Sequence, residues 1–317
     1  MRVDHQTHWL PRKCLEALRG RRRLPRSERD GDRYLLEIAP GGSVLPVTSA
    51  FDTLEVQLAE ADAHGVDVLV SIPAPLAEVL HLPGEEAGDL LEDLNEEVAR
   101  GQRVHRDRII GLAMLPMQDP DVALRVLESA VAELGLRGVC MLASIDGRPI
   151  ATDETLPIFQ RIEELRVPLF LHPAVRSNTY VSRDQRRAES GIGWMYHTAL
   201  AALNLIDSGT LDRCPELVVV HPHLGGVLPY VLGRVDRMDP EMLPRRLPEY
   251  LRTRFYTDSV GATPGALRFA MDTYGPERVL LATDYPPVPM AAGHAYVKSE
   301  LGAEGAQALY ANALPWP

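Results

Sequence analysis

A chain of 317 residues, 45% hydrophobic and 24% charged, carries enough apolar material for one large core, so disorder is excluded as its default state. The net charge of -11 gives no overall basic excess to neutralise phosphates. Nucleic acid and anionic membranes are thereby excluded as partners, and a small-molecule substrate is expected by elimination.

In chain order, short β-branched runs alternate with longer amphipathic stretches, the pattern of βαβ units around a parallel sheet. Strands are expected at residues 2–4, 66–72, 109–115, 138–142, 168–171, 217–220, 255–258 and 279–282. Eight is the number that closes a (β/α)8 TIM barrel, a fold that chains of this length fill as one domain over residues 1–317. Helices are expected between them at 53–63, 89–104, 120–133 and 156–165, where apolar residues recur at three- and four-residue spacing. Asp119-Pro120 and Asp52-Thr53 resemble capped helix starts.

Residues 13–47 break the alternation. Seven arginines between Arg19 and Arg33 are interrupted by Glu28, Asp30 and Asp32, and Pro25, Gly31, Pro40, Gly41, Gly42 and Pro46 are scattered among them. This segment reads as an insertion after the first strand, a solvated loop of mixed charge. A second irregular stretch, 174–193, is expected to lie over the barrel mouth. The N-terminus has no apolar leader and no run approaches the ~20 apolar residues of a membrane span. Cys14, Cys140 and Cys214 form no CxxC pair, so a reducing, cytoplasmic setting is expected.

In a barrel, functional side chains project from the C-terminal ends of the strands. Four such places carry polar residues: Asp4-His5-Gln6-Thr7-His8, His172-Pro173, His221-Pro222-His223-Leu224-Gly225-Gly226 and Thr283-Asp284-Tyr285-Pro286. Alternation along the first strand puts Gln6 and His8 on one face and His5 and Thr7 on the other. Two imidazoles and a carboxylate, His8, His172 and Asp284, form a donor set suited to a divalent transition ion. Gln6 is a further candidate through its carboxamide oxygen.

These motifs resemble the branch of the amidohydrolase superfamily that includes aminocarboxymuconate-semialdehyde, γ-resorcylate and 5-carboxyvanillate decarboxylases, over about residues 3–313. Asp4-His5-Gln6-Thr7-His8-Trp9-Leu10-Pro11 resembles the family's opening motif, Gly65-Val66-Asp67 its second-strand signature, and Leu169-Phe170-Leu171-His172-Pro173 its fifth-strand motif. The stretch 198–234, with Gly209, Leu211, Pro215, His223, Gly225, Gly226 and Pro229, is similar to its most recognisable block. The resemblance implies a metal held by His8, His172, Asp284 and the residue at position 6, with His223 and Asp284 catalytic. Position 6 is His in many members and Glu in some decarboxylases, whereas this chain has Gln6. His5 could substitute only if the strand were bulged.

The resemblance further implies a divalent cofactor, zinc foremost and manganese as an alternative, a homodimer, and a small carboxylate substrate. Arg176, Trp194, His197 and Arg234 are the substrate-binding candidates. The leading expectation is a non-oxidative decarboxylase of an aromatic or unsaturated carboxylic acid. A hydrolase, lactonase or hydratase on the same scaffold is the alternative. A third reading is a barrel that has lost its metal through Gln6.

Overall fold

The computed structural model describes residues 1–38, 44–174, 188–238 and 242–316. Strands β1 (Val3–Thr7), β5 (Val68–Ser71), β6 (Ile109–Met114), β7 (Gly138–Leu142), β8 (Leu169–His172), β9 (Val219–His221), β10 (Phe255–Asp258) and β11 (Val279–Leu280) form one parallel sheet in that order. The sheet curls until its two ends meet. His5 N–H donates to the Leu281 carbonyl at 2.8 Å, Asp284 N–H to Gln6 O at 3.0 Å and His8 N–H to Tyr285 O at 2.7 Å. The architecture is the TIM barrel expected from the alternation, and every expected strand is present within about three residues of its reading.

Strands buried on both faces read as unbroken apolar runs, and all six residues of β6 are buried. The surrounding helices bury one stripe each. In the helix Gly84–Val104, Ala87, Leu91, Leu94, Asn95 and Val98 face inward, and of the charged residues only Glu97 is buried, paired with Lys13 and Arg100. Asn95 then completes the ladder of β6, donating to Met114 O and accepting from Met114 N–H. Asp119 caps its helix as expected, accepting from Val122 N–H. Asp52 does not cap, because its carboxylate is taken by the Arg12 guanidinium.

The segment between β1 and β5 is more ordered than a loop. It begins with the helix Arg12–Ala17 and continues as an antiparallel sheet of β2 (Arg26–Asp30), β3 (Arg33–Glu37) and β4 (Leu45–Val47). Tyr34, Leu36 and Val47 point into the same buried cluster as the barrel residues. The arginines are largely paired, Arg21 with Glu86, Arg26 with Glu37 and Arg33 with Asp30. The expectation of a solvated loop is corrected accordingly: β3 and β4 bury Tyr34, Leu36 and Val47 on one face, and the charged β2 pairs along β3 with Ser27 buried.

Candidate active site

The expected site residues meet at the C-terminal mouth of the barrel. His8 follows β1, and its carbonyl accepts a hydrogen bond from Gln57 Nε2 at 2.7 Å, which pins the chain where it leaves the strand. His8 Nε2 lies 2.9 Å from Asp284 Oδ1, and Gln6 Nε2 lies 3.1 Å from the same oxygen. The other bond of Gln6 Nε2 is to His223 Nε2, also at 3.1 Å. The ring of His172, at the end of β8, stands edge-on to His8 with centroids 5.3 Å apart. Gln6, His8, His172, His223 and Asp284 thus form one cluster.

The first strand is bulged between Asp4 and Thr7, where two residues, His5 and Gln6, stand against the single Val70 of β5. The bulge does not bring His5 into the cluster. Its Nδ1 faces the Leu281 carbonyl at 3.1 Å and its ring stacks on Trp316, itself stacked on Phe170. His221 is likewise committed elsewhere, with Nδ1 2.9 Å from the Tyr274 hydroxyl.

His223 sits on a turn whose backbone is left-handed at four successive residues, His223, Leu224, Gly225 and Gly226. Such angles cost free energy outside glycine, and Asp258 offsets this. Its Oδ1 accepts from His223 N–H at 2.8 Å and from Val260 N–H at 3.0 Å. Asp258 is a site residue that the sequence reading did not single out. The available signal was a carboxylate closing a barrel strand, the same signal that identified Asp284.

Charge is unevenly distributed over these groups. Burial alone would raise the Asp284 carboxyl, but the His8 hydrogen bond and the rings of His8, His223 and His172 outweigh it and hold the group at about 2. Burial, reinforced by the neighbouring His8 and His223 rings, pushes His172 down to about 3. His223 is lowered chiefly by burial, against the pull of Asp284. Asp258 is pushed up to about 8 and Asp4 to about 7, in both cases first by burial. The mouth therefore holds one fixed anion, Asp284, beside the His172 and His223 rings, which are held toward the neutral form, and the proton-retaining carboxyls of Asp258 and Asp4.

The donors suit a cation. Both ring nitrogens of His8 face acceptors, Nδ1 the Ile72 carbonyl at 3.0 Å and Nε2 the Asp284 carboxylate. The ring therefore carries two protons in this arrangement, or gives up the one on Nε2 to a cation. His172 is oriented alike, its Nδ1 bonded to the Pro173 carbonyl at 2.8 Å, which leaves Nε2 as a lone-pair donor. Among the described residues no three His, Cys, Asp or Glu side chains already stand at metal-ligand spacing; here His8 and Asp284 bond directly to each other. His8, His172 and Asp284 are the residues that would hold an ion.

Trp194 and His197 lie one turn apart at the start of the helix Trp194–Asp207. Each has a buried ring nitrogen with no partner among the described residues. This turn packs on the His223 loop: a Cβ on Gly226 would stand 2.4 Å from the Met195 carbonyl oxygen. Arg234 is exposed near the end of the helix Leu228–Val235, and no hydrogen bond or ion pair ties it to the cluster among the described residues. Asp236, which might have paired with it, binds Arg246 instead. Arg176 falls outside the described residues.

A closed parallel barrel with histidines and a carboxylate gathered at its strand ends is the design of a barrel enzyme. Residues 3–313 match the family model described as Amidohydrolase, and the chain belongs to that family. The γ-resorcylate decarboxylase of Rhodococcus jostii (strain RHA1) is 31% identical over 261 residues, 74% of this chain and 78% of the relative. The 2-amino-3-carboxymuconate-6-semialdehyde decarboxylase of Dictyostelium discoideum is 29% identical over 243 residues, 73% of this chain and 66% of the relative. Among solved structures, that of 5-carboxyvanillate decarboxylase from Sphingomonas paucimobilis is similar with a TM-score of 0.76 and 26% identity, over 98% of this chain and 96% of the other. The resemblance read from the motifs is borne out, and the chain is an enzyme of this family.

Proposed function

We propose that this enzyme is a divalent-metal-dependent, non-oxidative decarboxylase of an aromatic or unsaturated carboxylic acid. The observation that carries the reading is the meeting of His8, His172, Asp284 and His223 at one barrel mouth, in a family whose similar members are decarboxylases. When bound, the ion supplies Lewis-acid polarisation of a substrate oxygen. Zinc is our first assignment and manganese the second.

The chain's own residues do the rest. In the reaction the carbon–carboxylate bond breaks, its electron pair stays on carbon, and a proton is added there as carbon dioxide leaves. His223 and Asp284 are the groups assigned to that proton. Asp284 is ionised at neutral pH and accepts; His223 is a neutral ring that can hold a proton at one nitrogen and receive one at the other. Trp194 and His197, with their unpartnered ring nitrogens beside the His223 loop, are assigned to substrate contact. Arg176 and Arg234 remain candidates for the carboxylate.

We further propose a homodimer and a cytoplasmic enzyme. Ile192, Tyr196 and Leu200 are exposed at four-residue spacing and make one apolar stripe. The three free cysteines suit a reducing compartment.

Carbon dioxide release from a panel of 2,6-dihydroxybenzoate, 5-carboxyvanillate and carboxymuconate-like acids, with and without prior chelation, tests the function. Metal-dependent release from at least one acid is expected. Hydrolysis of lactones, esters or amides in the absence of any carbon dioxide release would move the assignment to the alternative chemistry of the same scaffold.

A further inference from the structure

The residue that departs from the opening motif also ties the cluster together. Gln6 Nε2 reaches both Asp284 Oδ1 and His223 Nε2 at 3.1 Å. An ionised carboxylate can only accept, so the Gln6 atom facing Asp284 is the amide nitrogen and not the oxygen. Its second proton then points at His223 Nε2, which must present a lone pair. The ring's own proton therefore sits on Nδ1, a buried atom with no partner among the described residues.

The geometry points to Gln6 as a positioning residue and not a metal ligand: its NH2 group clamps Asp284 to His223 and fixes His223 as the neutral, Nδ1-protonated tautomer. No other residue type of the motif does this. A neutral His at position 6 has one N–H and cannot donate to two acceptors from one side, and Glu would set a second anion against Asp284. Only a carboxamide nitrogen offers two protons from one uncharged atom. Asp284 Oδ1 takes the bonds of both Gln6 and His8, while Oδ2 takes none among the described residues. The donors left for an ion are Oδ2 of Asp284, Nε2 of His172 and, once its proton is displaced, Nε2 of His8.

This inference rests on the metal-dependent reading of the site and deepens it. The test uses metal-free full-length protein, wild type, Gln6→Met and Gln6→Glu, with two readouts. The first is the visible absorption spectrum at saturation with cobalt(II), which reports the donor set. The second is the pair of ring-nitrogen shifts of His223 by 15N NMR, which report its tautomer. With a clamp, Gln6→Met binds cobalt more weakly, on the order of 10–100-fold as for outer-shell partners. Its saturated spectrum nevertheless superimposes on that of wild type, Gln6→Glu alters it, and the Nδ1-protonated signature seen in wild type is lost in Gln6→Met. A changed saturated spectrum in Gln6→Met overturns the inference, as does an Nε2-protonated His223 in wild type, which needs no variant to observe. Should wild type bind no cobalt, the metal reading fails, and the His223 signature in metal-free protein alone upholds or refutes the clamp.

Discussion

Replacing Gly226 with Ala should disable the site from a residue that carries no side chain. Gly226 has φ of 59° and ψ of -130°, and a Cβ there would stand 2.4 Å from Met195 O and 3.0 Å from Thr198 Oγ1. The first neighbour is backbone and cannot rotate away. Holding alanine in this conformation costs about 1–3 kcal/mol, and forcing the two backbones apart costs about 1–3 kcal/mol more. At roughly 2.1 cal/mol/K per residue, the unfolding entropy of a chain this long is about 0.7 kcal/mol/K, so a 2–6 kcal/mol loss lowers Tm by roughly 3–9 °C. Activity should fall further than stability, because the same displacement moves His223 and the turn that carries Trp194 and His197. Gly209→Ala is the control: φ is 69°, but a Cβ there meets nothing within 4 Å. It should cost only the left-handed term, about 1–2 kcal/mol, and leave activity intact. Thermal melts and turnover of both variants decide the matter; a Gly226→Ala protein that melts and turns over like wild type refutes the reasoning.

Asp258 gives a pH dependence with a definite sign. Its carboxyl is held at about 8 by burial against an ordinary 3.8, so between those values the folded chain holds a proton that the unfolded chain has released. Its contribution to stability is therefore fully present below about pH 4 and lost as pH rises through about 8. Asp258→Asn, which keeps an oxygen acceptor for His223 N–H, should flatten the fall in Tm across that window in metal-free protein; an unchanged slope would contradict it. Leu200→Asp or Tyr196→Asp should give monomer in sedimentation experiments where wild type forms the proposed homodimer, and an unaltered dimer would place the interface on another face. Trp316→Ala removes the ring stacked on His5 and Phe170. Because the indole is only half-buried, the loss should fall at or below the about 3–5 kcal/mol of a fully buried Trp, read by urea melts, with the metal content unchanged.

The parts of this molecule legible in its sequence are those governed by periodicity and strand-end chemistry. Most barrel strands could be read because burial on both faces makes them runs of chiefly apolar residues between turns, and the cluster could be read because barrels place polar residues at the ends of such runs. The sheet of β2 to β4 was not legible: Arg26–Asp30 is almost wholly charged, and only its register with β3 shows that Ser27 is the buried face. Asp258 closes a barrel strand as Asp284 does, but its role rests on the backbone N–H groups of His223 and Val260, and no spacing rule foretells the left-handed turn that presents the first of them. The cap expected at Asp52 failed because Arg12, 40 residues earlier in the chain, competes for the carboxylate. Gln6 was legible as a departure from the motif, but its two acceptors come from residues 217 and 278 positions away.

One ion shared by His8, His172 and Asp284 is the centre of the proposed chemistry. A crystal structure of protein loaded with zinc, with anomalous data collected at the zinc edge, addresses that directly. One peak at the barrel mouth is expected, about 2.0–2.2 Å from an imidazole nitrogen of each histidine and from a carboxylate oxygen of Asp284. A mouth without a peak, or an ion bound by other side chains, would contradict it.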